Sequence, residues 1–496
     1  MKKVLIANRG EIAVRIIRAC HELKLKTVAI FAKEDELSVH RFKADEAYLV
    51  GAGKRPIEAY LDMDDIIRIA KKTSADAIHP GYGFLAENEQ FAQKCQDAGI
   101  IFIGPKVDHL KIFGDKIKAK DAAVAAGLHT IPGSDKPVGS VAEVQAFAHQ
   151  HGYPIMIKAA LGGGGRGMRI INSDQEVQES FNRARSEAKQ SFGDDELYVE
   201  KYLKNPKHIE VQILADQHGN VIHLFERDCS VQRRHQKVIE FAPSIVLSNQ
   251  RRQEICQAAV RLMKSVAYQN AGTVEFLVTP DDFYFIEVNP RVQVEHTVTE
   301  MITEIDIVQA QILIADGKDL YHDLEIPEQN EIAYHGYAIQ CRVTTEDPEN
   351  NFMPDTGKIE TYRSPGGFGV RLDGGNAYAG AVITPYFDSL LVKACVMSRT
   401  FTGAVKKMNR VLDEFIIRGI KTNIPFMKKV INHPKFIAGQ AHTTFIDSTP
   451  ELFEYERKPK TANQLLRYIG EVTVNGFPGI GKHHKKYLPD IHISHE

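Results

Sequence analysis

The sequence has no tryptophan, and its few cysteines show no paired spacing. There are six cysteines, and they stand far apart: Cys20, Cys95, Cys229, Cys256, Cys341 and Cys395. Neither the short cysteine spacing of zinc sites nor the cysteine density of a disulfide scaffold is present. We therefore expect reduced structural thiols, as in cytoplasmic proteins, and neither a disulfide nor a zinc framework.

The sequence also lacks a charge excess of either sign and a long apolar run. The 62 basic and 64 acidic side chains give a formal net charge of −2. This balance does not support a nucleic-acid partner or an acidic membrane surface as partner. No apolar stretch approaches the length that crosses a bilayer, and residues 1–7 resemble a short strand rather than a signal sequence. We expect a cytoplasmic protein with no nucleic-acid or membrane partner.

The length and the order of the patterns predict a multidomain protein. A chain of 496 residues with 43% hydrophobic and 25% charged residues is too long for one core. Apolar strands alternate with an amphipathic helix near the N-terminus, which predicts a parallel sheet over residues 1–113. Changes in pattern set the other boundaries: a helical linker at 114–131, a small mobile lid at 132–203, a strand-rich core at 204–330, an α+β segment at 331–446 and a polar extension at 447–496.

The most informative stretch runs from residue 287 to residue 295, where odd positions are polar and even positions apolar. In an extended segment, one face would carry Glu287, Asn289, Arg291, Gln293 and Glu295. Carboxylate and amide oxygens suit magnesium, and a guanidinium group suits a small carboxylate-like anion. A solvated strand face is the alternative, but such a face favours Thr, Lys and Ser. The series therefore favours a metal and anion site.

A second acid, Glu275, lies among apolar residues in the strand pattern 273–277. The turn residues 279–282 lead back toward Glu287, which predicts a hairpin. We expect the two acids to be cross-strand neighbours on one face, and the even sum of their numbers predicts an odd number of loop residues. Two such carboxylates repel each other, so a divalent cation would neutralise them. An acid that points outward from the hairpin is the alternative.

The glycine run at 162–167 follows a strand pattern that ends at Lys158. Glycines let backbone N–H groups wrap phosphate oxygens, and Lys158 adds a positive charge. The run matches neither the P-loop nor the dinucleotide fingerprint. A flexible linker is the alternative, which the position of the run between two strands weakens.

Three further segments leave two interpretations open. The basic stretch 232–237, beside residues 226–228, is typical of a solvated loop unless it lines an anion site. The loop 80–84 is bracketed by glycines, and a tight turn and a ligand site at a strand end explain it equally well. Arg342 lies within a strand pattern, where a structural ion pair is as consistent with the sequence as catalysis.

These motifs together resemble a known family. Lys158 with the glycine run, residues 200–203, Glu275 and Glu287 with Asn289 follow the order of the ATP-grasp fold. The motifs that narrow the resemblance lie at residues 8–13, 81–88, 233–237 and 291–296. With them, the chain resembles biotin carboxylases from residue 2 to about residue 446.

Finer details are similar to the biotin carboxylase region of pyruvate carboxylases. Residues 287–291 and 296–300 carry the pattern of that branch, and residues 470–479 resemble the segment that leads toward a carboxyltransferase domain. The chain holds no Ala-Met-Lys-Met biotin-attachment sequence. We therefore expect either a cut fragment or a separate subunit.

The resemblance implies an α/β and α+β multidomain fold: a parallel-sheet N-terminal domain, an ATP-grasp lid and core, and an α+β C-terminal domain. It implies a ligase that uses ATP and bicarbonate to carboxylate biotin through carboxyphosphate, with two Mg²⁺ or Mn²⁺ ions. Biotin would be a substrate held on a separate carrier domain, and a carboxyltransferase domain would be a further partner in a homo-oligomer. The lid should be loose without ATP because its glycine loop has few side chains to pack.

The resemblance also implies roles for individual residues. Glu275, Glu287 and Asn289 would hold the metal. The nucleotide would contact Lys116, Lys158, Gly163, Gly164, Gly165, Glu200, Lys201, Leu203 and His208. Bicarbonate would bind Lys237, Arg291 and Val294, with Glu295 as general base. Arg342 would stabilise the enolate-like oxygen of biotin, and the biotin pocket would contain Tyr82, Gly83, Gln232 and Gln293. His235 is assigned both to the cofactor-binding set and to the biotin pocket.

Three alternatives accompany this interpretation. The chain could belong to another ATP-grasp ligase, such as a carbamoyl-phosphate or purine-pathway enzyme, although Arg291 with Glu295 argues against that. It could be a biotin carboxylase subunit of a different biotin-dependent carboxylase. A non-catalytic regulatory or scaffolding fragment would have lost charged positions that the chemistry needs, and all of these positions are present.

Overall fold

The computed structural model describes residues 1–134, 136–159, 168–192, 195–455 and 461–475. The chain divides into two compact units, Met1–Thr449 and Pro450–Glu496. The predicted phosphate loop with Gly163, Gly164 and Gly165 lies outside the described residues. Among the described residues, no helix combines the length and the apolar composition that a membrane span requires.

The N-terminal part of the first unit is a parallel sheet, as the sequence predicted. Its strands, in the order β3-β2-β1-β4-β5, are β1 (Lys3–Ile6), β2 (Lys26–Phe31), β3 (Glu46–Leu49), β4 (Ala77–His79) and β5 (Ile101–Phe102). The helices are α1 (Gly10–Glu22), α2 (Val39–Lys43), α3 (Pro56–Tyr60), α4 (Met63–Thr73), α5 (Glu89–Asp97), α6 (Val107–Phe113) and α7 (Lys116–Ala125). Helix α1 buries the apolar stripe that contains Ile12 and Ile16.

The loops after β1 and β4 meet at one edge of this sheet, because parallel strands share their carboxyl ends. Asn8, after β1, donates from Nδ2 to the carbonyl oxygens of Pro80 at 2.6 Å and Tyr82 at 2.8 Å. Gly81 has a φ of 66° and Gly83 a φ of 69°, in the left-handed region that glycine adopts without steric cost. These contacts fix the position of Tyr82.

A second, smaller sheet has its own hydrophobic core. It contains α8 (Val141–His151), β6 (Ile155–Ala159), β7 (Met168–Ile171), α9 (Asp174–Phe192) and β8 (Leu197–Lys201). The strands are antiparallel in the order β7-β6-β8. Val144, Ile157 and Phe181 belong to a cluster of buried side chains drawn from this segment alone. This is the segment for which the sequence predicts lid motion, which stays a prediction.

The largest sheet is antiparallel and carries most of the predicted site. Its strand order is β13-β12-β9-β10-β11-β14-β21-β19. The first part contains β9 (Lys207–Ala215), β10 (Val221–Arg233), β11 (Gln236–Ala242), α10 (Asn249–Ser265), β12 (Asn270–Val278), β13 (Phe283–Asn289), α11 (His296–Thr303) and α12 (Ile307–Ala315). All six cysteines of the chain are free and buried.

The C-terminal part of the first unit extends the same sheet, since β11 pairs with β14. Its strands are β14 (Tyr337–Thr344), β15 (Glu346–Asp347), β16 (Met353–Pro354), β17 (Gly357–Lys358), β18 (Thr361–Arg363), β19 (Val370–Gly374), β20 (Val382–Ile383), β21 (Leu390–Ser398) and β22 (Ile416–Arg418). Its helices are α13 (Phe401–Glu414), α14 (Ile424–Asn432) and α15 (Pro434–Ile437). The parallel sheet, the two antiparallel sheets and this mixed segment confirm the predicted fold class.

In the second unit, α16 (Thr461–Asn475) follows a short 3-10 turn at Pro450–Phe453.

The hairpin of β12 and β13 forms as predicted, with Glu275 paired directly to Glu287. The predicted odd loop is wrong, because four residues connect Val278 to its partner Phe283. The register of the hairpin shifts just after Glu275. Phe276, the next residue of β12, pairs with Phe285 of β13, so Ile286 is the extra residue of a β-bulge. The bulge keeps both acids on one face.

The assumption of an extended chain from residue 287 to residue 295 is also wrong beyond residue 289. Strand β13 ends at Asn289, directly before Pro290, and α11 begins at His296. Proline cannot donate to a strand ladder, which explains where the strand stops. The irregular segment 290–295 turns the later side chains back toward the sheet, so alternation along a strand does not place Arg291, Gln293 and Glu295.

Candidate active site

One cavity of about 1640 Å³ collects every described residue that the sequence predicted for the site. The predicted residues that line it are Tyr82, Gly83, Lys116, Lys158, Glu200, Lys201, Leu203, His208, Gln232, His235, Lys237, Glu275, Glu287, Asn289, Arg291, Gln293, Val294, Glu295 and Arg342. The cavity is therefore bordered by the parallel-sheet edge, the small sheet and the large sheet.

The centre of the site is a buried ammonium group surrounded by carboxylates. Lys237 Nζ donates to Glu210 at 2.5 Å, to Glu275 at 2.8 Å and to Glu295 at 2.9 Å. Burial alone would lower the pKa of Lys237, but the three carboxylates hold it well above its ordinary value. Lys237 therefore stays charged, and its ammonium protons are shared among these carboxylates. Its role toward an anion stays a prediction.

Arg342 extends this cluster from the neighbouring strand β14. Its guanidinium donates from Nε to Glu240 Oε1 at 2.6 Å and from Nη2 to Glu295 Oε2 at 3.0 Å. Burial would raise the pKa of Glu295, but Lys237, Arg342 and Arg227 lower it below its ordinary value. Glu295 is thus ionised and able to accept a proton. Arg342 therefore forms the ion pair that its sequence context allows, and it also lines the cavity, while its catalytic role stays a prediction.

The predicted metal ligands lie on one face of the β12–β13 hairpin. Glu275 accepts from Lys237, Asn289 and Gln293, each at 2.8 Å, and its other oxygen lies 2.7 Å from His208 Nε2. Burial would raise the pKa of Glu275, but Lys237 and His208 hold it well below its ordinary value. Glu275 therefore stays ionised, with Lys237 as its ion-pair partner.

Glu287 is less well compensated: Lys237 and His208 oppose the rise in its pKa only in part. Burial and then repulsion from Glu275 raise the pKa of Glu287 above its ordinary value. A divalent cation between the two carboxylates would relieve that repulsion, and the hard oxygen donors of Glu275, Glu287 and Asn289 suit Mg²⁺. The donor set thus fits the predicted metal. His208, Glu210 and Glu275 form a second group whose ligand atoms lie within 4.8 Å of one another.

Arg291 faces the same cavity from the irregular segment but has different partners from Glu295. Its guanidinium lies 3.3 Å from Glu87, and its Nη2 donates to Asn289 Oδ1 at 2.9 Å. Glu295 instead pairs with Lys237 and Arg342. The two residues share the cavity, and their convergence on one anion stays a prediction.

Four of the predicted nucleotide residues, Lys158, Glu200, Lys201 and Leu203, border the cavity on the side of the small sheet, while Lys116 begins α7 and His208 lies on β9. Lys158 forms an ion pair with Glu200, which lies on the adjacent strand β8. Lys201 Nζ donates to the carbonyl of Gly152 at 2.8 Å, and its backbone N–H donates to Pro132 at 2.8 Å. These contacts connect Lys201, in the predicted adenine hinge, to Pro132 and Gly152 in the predicted lid segment.

The predicted biotin residues come from three separate segments: Tyr82 and Gly83 from the loop after β4, Gln232 and His235 from the β10–β11 hairpin, and Gln293 from the irregular segment 290–295. Tyr82 donates its hydroxyl proton to Glu11. Arg234 and His235 form the exposed tip of the β10–β11 hairpin, with φ values of 49° and 63°. Such left-handed values are uncommon for residues with a Cβ, and strain of this kind concentrates at binding sites.

Sequence reasoning did not identify Arg227, a buried arginine next to these residues that contacts several site side chains. Residues 226–228 entered the prediction only as neighbours of the basic stretch 232–237, and Arg227 among them is fully buried inside β10. Arg227 donates to five side chains: Glu210, Gln212, Thr273, Gln293 and Thr299. It therefore anchors Glu210 and Gln293, which contact Lys237 and Glu275.

A signal for Glu210 was available in the sequence. Residues 208, 210 and 212 alternate with apolar residues, so they share a sheet face that Glu275 also occupies, since Glu210 pairs with Glu275. Glu240 had no such signal, because its role depends on Arg342, whose partner strand is distant in sequence.

Comparisons with known families agree with this arrangement. Family models match three consecutive segments: the biotin carboxylase N-terminal domain over residues 1–110, the ATP-binding domain of the carbamoyl-phosphate synthase L chain over residues 115–323 and the biotin carboxylase C-terminal domain over residues 340–448. The central model is named after a carbamoyl-phosphate enzyme, but both flanking models are specific to biotin carboxylase.

Individual relatives give the same result. Pyruvate carboxylase of Bacillus subtilis is 64% identical over 486 residues, which are 98% of this chain and 42% of that protein. A crystal structure of the biotin carboxylase subunit of pyruvate carboxylase is 46% identical, with a TM-score of 0.83, and the match covers 92% of this chain and 100% of that one.

A third relative was solved with ligands. The biotin carboxylase domain dimer of Hydrogenobacter thermophilus 2-oxoglutarate carboxylase, in complex with MgADP, ADP and bicarbonate, is 45% identical with a TM-score of 0.82. That match covers 92% of this chain and 99% of that domain. The chain spans about two fifths of the length of the curated relatives that it matches. The chain belongs to the biotin carboxylase family, the ligases that carboxylate biotin with bicarbonate and ATP.

Proposed function

We propose that this chain carries out the first half-reaction of a pyruvate carboxylase: ATP, bicarbonate and biotin give ADP, phosphate and carboxybiotin. The observation that carries the proposal is the single cavity in which the Glu275–Glu287 pair lies beside Lys237, Glu295 and Arg342. An acidic pair suits a metal–nucleotide complex, and an adjacent cationic group suits the anion that the nucleotide phosphorylates.

The nucleotide would lie between the small sheet and the large sheet. Lys116, Lys158 and His208 would contact its phosphates, and Glu200, Lys201 and Leu203 would contact its adenine. Glu275, Glu287 and Asn289 would hold Mg²⁺ or Mn²⁺, as two ions, which would offset negative charge on the phosphates. The ion pair of Lys158 with Glu200 would open when Lys158 turns to a phosphate.

Bicarbonate would bind beside Lys237, Arg291 and Val294. Glu295 would take its proton, and a bicarbonate oxygen would then bond to the γ-phosphorus while the bond to the ADP oxygen breaks. The product is carboxyphosphate. Glu295 is a weak base while Lys237 and Arg342 lower its pKa, so we expect both cations to shift toward the bound anion during this step.

Carboxyphosphate would then release carbon dioxide, and the phosphate would take the proton from the biotin ureido nitrogen. That nitrogen would attack the carbon dioxide, which places the carboxyl group on biotin. Arg342 would stabilise the negative charge on the ureido oxygen. Tyr82, Gly83, Gln232, His235 and Gln293 would hold the biotin ring, and closure of the lid at 132–203 would exclude water.

The rest of the proposed enzyme lies outside this chain. We propose a biotin carrier domain and a carboxyltransferase domain as partners, a homo-oligomeric assembly and a cytoplasmic location. The dimer of the 2-oxoglutarate carboxylase domain supports the assembly. The same match supports a second candidate, in which the final carboxyl acceptor is a 2-oxo acid other than pyruvate. The domain limits 1–113, 114–131, 132–203, 204–330, 331–446 and 447–496 are part of the proposal.

Phosphate release tests the proposal directly. Purified chain with ATP, Mg²⁺ and bicarbonate should release phosphate slowly, and free biotin should accelerate that release. Omission of bicarbonate should abolish the biotin effect, because no carboxyphosphate forms. An ATP cleavage rate that ammonia or another amine raises, and biotin does not, would support the rival ATP-grasp ligase instead.

Replacement of Lys158 with alanine should weaken ATP binding more than biotin binding, because Lys158 lies on the nucleotide side of the cavity. The measurement is the KM for ATP and for free biotin in the phosphate-release assay. The matched control is Lys189→Ala, which removes an exposed lysine from the same small-sheet segment, 3.9 Å from Asp195. Equal losses for both substrates would point to a folding defect rather than a nucleotide contact.

A further inference from the structure

Lys393 is a fully buried lysine at the meeting point of three parts of the chain. It lies in β21 with no exposed surface. Its ammonium group donates to the carbonyl oxygen of Val294 at 3.1 Å and lies 3.0 Å from Glu11 Oε2 and 3.7 Å from Asp373. Burial of a lysine is costly unless its charge is compensated, so these contacts fix the position of the group.

The contact with Val294 reaches the proposed bicarbonate site. Val294 lies in the irregular segment 290–295, after the end of β13, so its carbonyl is outside the strand ladder. Lys393 supplies a charged donor to that carbonyl from a distant strand. The position of the segment that carries Arg291, Val294 and Glu295 therefore depends on a residue about a hundred positions away.

The contact with Glu11 reaches the proposed biotin site. Glu11 is buried in the first turn of α1, and its other carboxylate oxygen accepts the hydroxyl proton of Tyr82. Burial raises the pKa of Glu11, and Lys393 opposes that shift. Asp373 is different, because Arg371 Nη2 already donates to it at 2.8 Å. Lys393 thus forms an ion pair with Glu11, whereas Asp373 is paired with Arg371 as well.

We infer that Lys393 is a positioning residue that couples the two substrate sites through the series Val294–Lys393–Glu11–Tyr82. The ammonium group of Lys393 fixes the position of the Val294 backbone in the proposed bicarbonate site. Through Glu11, it also fixes the position of the Tyr82 hydroxyl in the proposed biotin site. The inference rests on the proposed function, which assigns those sites. The coupling is useful because carboxyphosphate and biotin must be correctly positioned relative to each other before carbon dioxide is released.

Kinetics of Lys393→Met test the coupling. Methionine preserves most of the side-chain volume and removes the charge, so Val294 and Glu11 both lose their shared partner. We expect the KM values for bicarbonate and for free biotin to rise together, each by about tenfold to 10²-fold, the range for small misplacements of a site. The KM for ATP should stay within about twofold of wild type, because the nucleotide residues lie on other strands.

Two milder variants separate the steps of the series. Tyr82→Phe removes the hydroxyl alone and should raise only the KM for biotin. Glu11→Gln should raise the KM for biotin, because Glu11 accepts the hydroxyl proton of Tyr82. It should also raise the KM for bicarbonate, because Lys393 loses its ion pair with Glu11 and holds the Val294 carbonyl less firmly. In the double variant Tyr82→Phe/Lys393→Met, the KM for biotin should equal that of Lys393→Met alone, because both changes break one series.

A core variant controls for loss of stability. Val396→Ala trims a buried side chain of the same strand and should lower the apparent Tm without changing any KM. If Lys393→Met does not fold, Glu11→Gln carries the test: a bicarbonate KM within twofold of wild type would overturn the coupling. Equal increases for ATP, bicarbonate and biotin in Lys393→Met would also overturn it. Wild-type chain without biotin-stimulated phosphate release would refute the proposed function instead.

Discussion

Replacement of Glu295 with glutamine is expected to slow bicarbonate-dependent ATP cleavage and biotin carboxylation by about 10² to 10⁴, the usual effect of a lost general base. Glutamine keeps the size of the side chain and can still contact Lys237 and Arg342, which Glu295 pairs with at 2.9 and 3.0 Å. Bicarbonate should therefore still bind, while its proton has no acceptor. The measurement is kcat and the KM for bicarbonate in the phosphate-release assay.

The companion variant Arg291→Ala should abolish the same reactions while nucleotide binding stays almost intact. Arg291 lines the cavity and offers a guanidinium fork to a planar anion, and its present partners are Glu87 and Asn289. ATP binding to the variant can be measured by calorimetry without turnover. Near-normal turnover of Glu295→Gln would show that another group is the base, and an ATP-binding defect in Arg291→Ala would place Arg291 on the nucleotide side.

The hairpin and its acidic pair were predictable from the sequence because they depend on local pairing. Glu275 and Glu287 are joined by a short turn, so the alternation of polar and apolar residues was sufficient to place them on one face. The loop length was not predictable, because the bulge at Ile286 changes the parity without any change in the hydrophobic pattern.

The charged partners of the site were mostly not predictable from spacing. The alternation predicts Arg291 and Glu295 on one extended face, with convergence on one anion if the strand ends or bends near Pro290. The strand does end there, and the two residues take separate partners. Glu240 and Lys393 enter from strands that the linear order does not place beside segment 290–295. Long-range pairing of strands decides such contacts, and one sequence carries no local signal for it. The family resemblance supplied the residue roles that spacing alone left open.

The second large effect is expected at Arg227, where methionine should destabilise the chain and impair catalysis together. Arg227 has no exposed surface and pairs with Glu210 at 2.5 Å, while donating to Gln293 at 2.8 Å. Removal of one member of a buried ion pair costs about 3 to 5 kcal/mol, because the other charge stays buried. Burial would lower the pKa of Arg227, but Glu210 and Glu295 raise it, so the lost group is a full charge.

A matched series separates the buried charge from general damage. Arg261→Met, on the exposed side of α10, should change stability by no more than about 0.5 kcal/mol. Arg227→Met should lower the apparent Tm strongly, and the double variant Arg227→Met/Glu210→Gln should recover part of that loss, because the buried carboxylate that keeps only Lys237 as a partner is gone. Catalysis should not recover with it, since Gln293 still lacks its anchor and Lys237 has lost one of its three carboxylates. A double variant that is less stable than Arg227→Met would show that Glu210 is compensated by Lys237 alone and that Arg227 acts mainly by filling space.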